Sequence, residues 1–190
     1  SHGFYTYDFG YLDNLTDVKV QPNDQKIVCT GVSIDSLYIG QAKVLRFNTD
    51  GTPDSTFANN GVFSFSITSD TYGYESYIRN DGKIIVAGLA AVIFGDYDIL
   101  LLRLNPNGTL DSTFGTNGST VTSFSVQNDL TQAMTQQSDG KILISGTILD
   151  TVTFFNVPSI IRFTENGFID STFGTNGVVQ IPVIAVDNEL

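Results

Sequence analysis

Apolar residues in this chain fall into short runs that recur in a fixed order. A continuous run ending in glycine appears at Ile27 to Gly31, Ile84 to Gly88 and Ile142 to Gly146. Non-alternating, β-branched runs of this length read as strands buried on both faces. A second run closes on an arginine and an apolar residue: Ala42 to Phe47, Ile99 to Leu104, Ser159 to Phe163. A third begins after an Asn-Gly pair: Val62 to Ile67, Thr120 to Val126, Val178 to Ile184. In Val62-Phe63-Ser64-Phe65-Ser66-Ile67 the period of two marks one buried and one solvated face. A weakly patterned stretch precedes each group: Leu15 to Gln21, Tyr72 to Ile78, Leu130 to Gln136. The pattern predicts four strands per unit, and no stretch has a helical period.

The turns sharpen this. Asp81-Gly82 and Asp139-Gly140 stand between apolar runs. That placement predicts type I′ hairpins, with positive φ at both central residues. Gln25 replaces the glycine in Pro22 to Lys26, so that turn is expected to be longer or strained.

The string Asn105-Pro106-Asn107-Gly108-Thr109-Leu110-Asp111-Ser112-Thr113-Phe114-Gly115-Thr116-Asn117-Gly118 has counterparts at Asn48 to Gly61 and Thr164 to Gly177. Arg46, Arg103 and Arg162 precede the copies, at spacings of 57 and 59 residues. Four strands at this period make a propeller blade. The chain is expected to be all-β and propeller-like: one repeat domain over 1–190, with units near 11–67, 68–126 and 127–184. Gly3-Phe4-Tyr5-Thr6-Tyr7 matches the fourth strand of a further unit, which predicts an orphan strand over 3–9. Propellers usually hold about 4–8 blades. Three blades are thus expected to complete a ring by oligomerisation or as part of a longer chain.

Ser138-Asp139-Gly140-Lys141-Ile142-Leu143-Ile144-Ser145-Gly146, together with Arg103 to Gly115, resembles the bacterial delta-60 repeat family over essentially residues 3–190. The resemblance implies a β-propeller-like arrangement within large secreted or cell-surface proteins, and it implies no catalytic residues. Departures are Gln25 and Ala58 for Gly, and Thr164-Glu165 for Asn-Pro.

Composition narrows the partners. The charged fraction is 15%, against roughly 25% in an average soluble protein. Net charge is −11 with 9 basic residues, which disfavours nucleic acid and anionic lipid. The longest apolar run, Ile84 to Phe94, is 11 residues and holds Gly88. Spanning a bilayer takes about 20, so no membrane insertion is expected. The start shows no leader pattern, and Ser1-His2-Gly3 resembles a tag scar. A secreted or cell-surface location is expected. The single cysteine, Cys29, reads as a small buried hydrophobe.

Candidate chemistry is sparse. Asp50, Asp54, Asn107 and Asp111 place oxygen ligands around Gly turns, a pattern open to calcium. The alternative is that these side chains cap their own backbone. Phe57, Phe114 and Phe173 are expected as structural plugs, and Arg46, Arg103 and Arg162 as partners of the Asp eight residues on. The only histidine is His2, so histidine-based catalysis has no support. Paired carboxylates for glycoside chemistry remain open among 20 acidic residues.

The segments Val32 to Gln41, Leu89 to Asp98 and Thr147 to Pro158 vary between units. Their tips hold Tyr38, Phe94, Asp96, Tyr97, Phe154 and Phe155. Variation on a constant scaffold is where recognition usually sits. The expected function is a non-enzymatic scaffold for protein–protein or adhesive contacts, with no cofactor. The alternative is a small-ligand or carbohydrate module using these loops.

Overall fold

A computed structural model describes residues 6–67, 69–93, 95–150 and 154–181. The strands are β1 (Leu12–Val20), β2 (Ile27–Ile34), β3 (Gly40–Phe47), β4 (Val62–Phe65), β5 (Thr71–Ile78), β6 (Ile84–Ile93), β7 (Asp96–Leu104), β8 (Ser119–Thr122), β9 (Leu130–Gln136), β10 (Ile142–Leu149), β11 (Asn156–Phe163) and β12 (Val178–Gln180). They form three four-stranded antiparallel sheets, each in chain order, and the described residues contain no helix. The all-β, three-blade reading stands. Of the proposed strand 3–9, residues 3–5 lie outside the described ones, and Thr6 to Phe9 are not paired into a sheet. They pack on the first blade instead: Tyr7 stacks on Phe9 and meets Phe47 edge-on.

Sheet register explains the burial. Blade 2 is covered on both sides. Ile84, Val86, Leu102 and Leu104 pack with Val28, Val44 and Phe57 of blade 1. Ile85, Ala87 and Leu101 pack with Ile142, Ile144, Ile161 and Phe163 of blade 3. In β10 the burial alternates, with Leu143 half-buried and Ser145 exposed, because no described neighbour lies on that side.

The apolar runs continue past their glycines. Each first strand carries a bulge there: between Leu15 and Asp17, between Gly73 and Glu75, and opposite Ser145–Gly146. A Cβ on Gly31, Gly88 or Gly146 would stand within 2.0 Å of a first-strand carbonyl oxygen. Glycine is required for that close approach, and the strand runs on. Asp96 and Tyr97, expected in a loop tip, therefore belong to β7.

The Asp-Gly turns also differ from expectation. Gly82 and Gly140 have φ of 80° and 85°, while Asp81 and Asp139 are not in the left-handed region. Gly82 N–H donates to Arg79 O, and Arg79 N–H to Lys83 O. This is a type I turn followed by a left-handed glycine, the three-residue hairpin solution. The type I′ pattern occurs at the Asn-Gly pairs instead, as at Asn117 (54°) and Gly118 (104°). The first turn is one residue longer, closing from Gln21 to Lys26, and Gln25 sits at φ 59°.

Candidate recognition face and the repeated joint

Each blade carries the same ion-pair joint at its third-strand end. Asp54 Oδ2 accepts from Arg46 Nε at 2.7 Å and from Lys26 Nζ at 2.8 Å. Its Oδ1 accepts from the Thr56 amide and hydroxyl at 3.0 and 2.7 Å. Asp111 repeats this with Arg103, Lys83 and Thr113. Asp170 does so with Arg162, Lys141 and Thr172. Burial alone would raise the Asp54 and Asp111 carboxyls. Hydrogen bonds from Lys, Thr and Arg outweigh it and hold both far below the usual carboxylate range. At Asp170 the bonds from Thr172 and Lys141 do the same. The Arg–Asp pairing was legible from spacing. The lysines were missed, although Lys26, Lys83 and Lys141 recur in every unit.

The arginine also lies over the plug. The guanidinium carbon of Arg46, Arg103 and Arg162 stands 4.5, 4.7 and 4.4 Å from the ring centre of Phe57, Phe114 and Phe173. Phe57 and Phe114 are fully buried. Phe173, expected as a plug like the other two, is only half-buried. The buried rings are closed over by the next blade. Arg46 Nη1 donates to Pro106 O at 2.6 Å, and Arg103 Nη1 to Glu165 O at 3.0 Å. Beside them the Ala58 amide donates to Asn107 O, and the Gly115 amide to Asn166 O.

The four metal candidates are engaged in this joint or in turns. Asp50 Oδ1 accepts from the Thr52 amide and hydroxyl at 2.9 and 2.6 Å. Asn107 Oδ1 does so from Thr109 at 3.1 and 2.8 Å. Among the described residues no group of three or more His, Cys, Asp or Glu side chains is placed to hold a metal ion. Cys29 is buried, and burial pushes its thiol up.

At the opposite end of the blades lie the variable loops. There Asp70, between blades 1 and 2, accepts from the Gly40 amide at 2.8 Å and from the Tyr97 hydroxyl at 2.9 Å. Asn128 and Asp129, between blades 2 and 3, bond the Tyr97 backbone. Burial, with Tyr72 and Asp70 beside it, pushes the Tyr97 phenol strongly up. Burial also raises Asp98 and Asp129. Tyr97 is thus a clasp between connections.

Tyr38, Phe154 and Phe155 are different: their exposures are 67%, 74% and 73%. Tyr38 and Phe154 both have positive φ, 63° and 58°. Asp35 holds the first loop by accepting from the Leu37 and Ile39 amides. Tyr38 meets Tyr11 edge-on at 5.1 Å. Asp96 is half-buried, and its Oδ1 has no hydrogen-bond partner among the described residues. Phe94 lies outside the described residues.

No curated protein matches the chain. A family model, the domain of unknown function (DUF5122) beta-propeller, matches residues 23–57, 79–114 and 137–173, which is more than half of the chain. The matches begin in the turn before each second strand and end at the aromatic plug, Phe57, Phe114 or Phe173. They therefore span the joint described above, and the chain belongs to the DUF5122 β-propeller family.

Proposed function

We propose that this chain is a non-enzymatic repeat scaffold, of the delta-60 kind it resembles, that makes protein–protein or adhesive contacts in a secreted or cell-surface bacterial protein. The observation that carries the reading is the exposure of Tyr38, Phe154 and Phe155 on variable loops. Aromatic tips on a rigid frame give large contact area at small entropic cost. The lack of catalysis in this reading has support too. The carboxylates of Asp54, Asp111 and Asp170 are neutralised by Arg and Lys, so they are poor acids or nucleophiles.

The test is binding of the immobilised chain to a panel of purified extracellular and bacterial-surface proteins, with a glycan array beside it. A triple variant, Tyr38→Ser, Phe154→Ser and Phe155→Ser, is run in parallel. Protein binding that disappears in the variant, with an unchanged melting temperature, supports the reading. Binding that survives in the variant sinks the loop tips as the site. The Tyr11–Tyr38 pair favours carbohydrate as the second reading, since sugars pack on exposed aromatic rings. Binding confined to glycans would replace the first reading by the second.

A further inference from the structure

The stretches at the variable-loop end of the blades, 32–41, 66–72, 89–98, 123–131 and 147–158, hold aspartates and no lysine or arginine. Asp35, Asp70 and Asp129 accept from the amides and hydroxyls around them. Asp129 is fully buried and takes the Phe124 and Ser125 amides at 2.6 and 3.3 Å and the Ser125 hydroxyl at 2.9 Å.

Asp96 and Asp98 are different. Oδ1 of each is buried and has no hydrogen-bond partner among the described residues. Asp98 as a whole is only 7% exposed. The Ser123 hydroxyl lies beside its carboxyl, and the nearby charge that acts on it is Asp96, of the same sign. Both residues belong to β7, two positions apart. They therefore share one side of the strand, with Cα atoms about 6.5–7 Å apart, and two aspartate side chains at that spacing can reach one ion.

The blade does not require acids at these positions. Counted back from the repeated arginine, unit 1 has Ile39 and Gln41 there, and unit 3 has Phe155 and Val157. A buried charge is ordinarily paired or bound to a metal ion, and a buried oxygen without a partner asks for a water or an ion.

We infer that Asp96 and Asp98 bind a calcium ion through their Oδ1 atoms, with the Ser123 hydroxyl beside it and water completing the shell. Carboxylate and hydroxyl oxygens select a hard cation. Magnesium demands a near-ideal octahedron, whereas calcium accepts the irregular set that two acids on one strand and a hydroxyl at the end of the next supply. Two carboxylates place the affinity in the weak range, with Kd about 10⁻⁴–10⁻³ M. The ion ties the start of β7, with Tyr97 between its two ligands, to the end of β8. The site lies at the opposite end of the blades from the turns of Asp50, Asp54, Asn107 and Asp111.

Thermal unfolding of the full chain, with chelator and with calcium up to about 10 mM, tests the inference. The midpoint is expected to rise by about 3 °C or more at the highest calcium, and an unchanged midpoint overturns it. An equal rise with magnesium also overturns it, since that would be general screening of an acidic surface. Terbium gives a second readout. The chain has no tryptophan, so sensitised emission reports an ion near tyrosine, and calcium should compete it away. Asp98→Asn is expected to abolish both signals, and Asp96→Asn to weaken binding at least tenfold. Asp96 is half-buried, so its variant carries the test if Asp98→Asn does not fold. Asp50→Asn is expected to bind as the parent does. Signals that persist in folded Asp96→Asn overturn the site, and so does their loss in Asp50→Asn.

Discussion

Gly167 presses its turn onto the ring of Phe114: a Cβ at 167 would stand 2.5 Å from the ring's Cζ. Gly167 also has φ of 82°. Gly167→Ala therefore meets two obstacles. Overpacking costs about 1–3 kcal/mol, and a left-handed backbone with a Cβ costs about 1–2 kcal/mol. The variant should lose at least about 2 kcal/mol of stability in urea unfolding. A loss under half of that would show that blade 3 yields easily at this turn.

The plugs of blades 2 and 3 differ in how far they are covered. Phe114→Ala removes a fully buried ring and should cost about 3–5 kcal/mol. Phe173→Ala removes a half-buried ring, so its cost should be clearly smaller when both are measured by denaturant titration. Equal losses would mean that something covers Phe173 in solution. Gel filtration of the same samples would then tell a second copy from a shift within the chain.

The sequence read well where structure is local, and poorly where it depends on a neighbour. Leu130 to Gln136 was placed at both ends, because a turn and an apolar run bracket it. The second strands were ended three to five residues early at Gly31, Gly88 and Gly146. The bulge that needs those glycines belongs to another strand, so a one-dimensional pattern could not show it. The Arg–Asp pair was legible because its partners lie eight residues apart. Lys26 and Asp54 are separated by 28 residues, and only the fold brings them together. In the same way Tyr97 looked like a loop-tip aromatic, while its hydroxyl reaches Asp70 in the connection between blades 1 and 2.

That reach gives a direct test. Tyr97→Phe deletes the hydroxyl and leaves Asp70 Oδ2 without that donor. Hydrogen bonds to charged groups contribute about 1.5–3 kcal/mol, and the site is half-buried. The variant should lose about 1–2 kcal/mol in thermal or urea unfolding, with the loss falling on the contact between blades 1 and 2. Hydrogen exchange reads this locally: the Gly40 amide, which also bonds Asp70, should exchange faster. Unchanged protection at Gly40 would mean that Asp70 holds its place without the tyrosine.

Acid should loosen the joints. The carboxyls of Asp54 and Asp111 titrate far below their unfolded value near 3.8. As pH falls toward that value, the unfolded chain takes up protons that the folded chain does not. Stability from these groups is full above the unfolded value and is lost progressively below about pH 5. Asp98 and Asp129 have the opposite sign, since burial raises them. Their contribution is present at low pH and fades as pH rises through their folded values, so they blunt the acid loss without reversing it. The urea midpoint should be flat from pH 7 to about 5 and fall between about 5 and 3. Asp111→Asn should start lower, since removing one partner of a buried pair costs about 3–5 kcal/mol. It should also show a shallower fall, because one of the titrating groups is gone. A midpoint that rises on acidification would mean that Asp98 and Asp129 dominate. Parallel slopes for the variant and the parent would mean that the joint carboxylates do not carry the pH dependence.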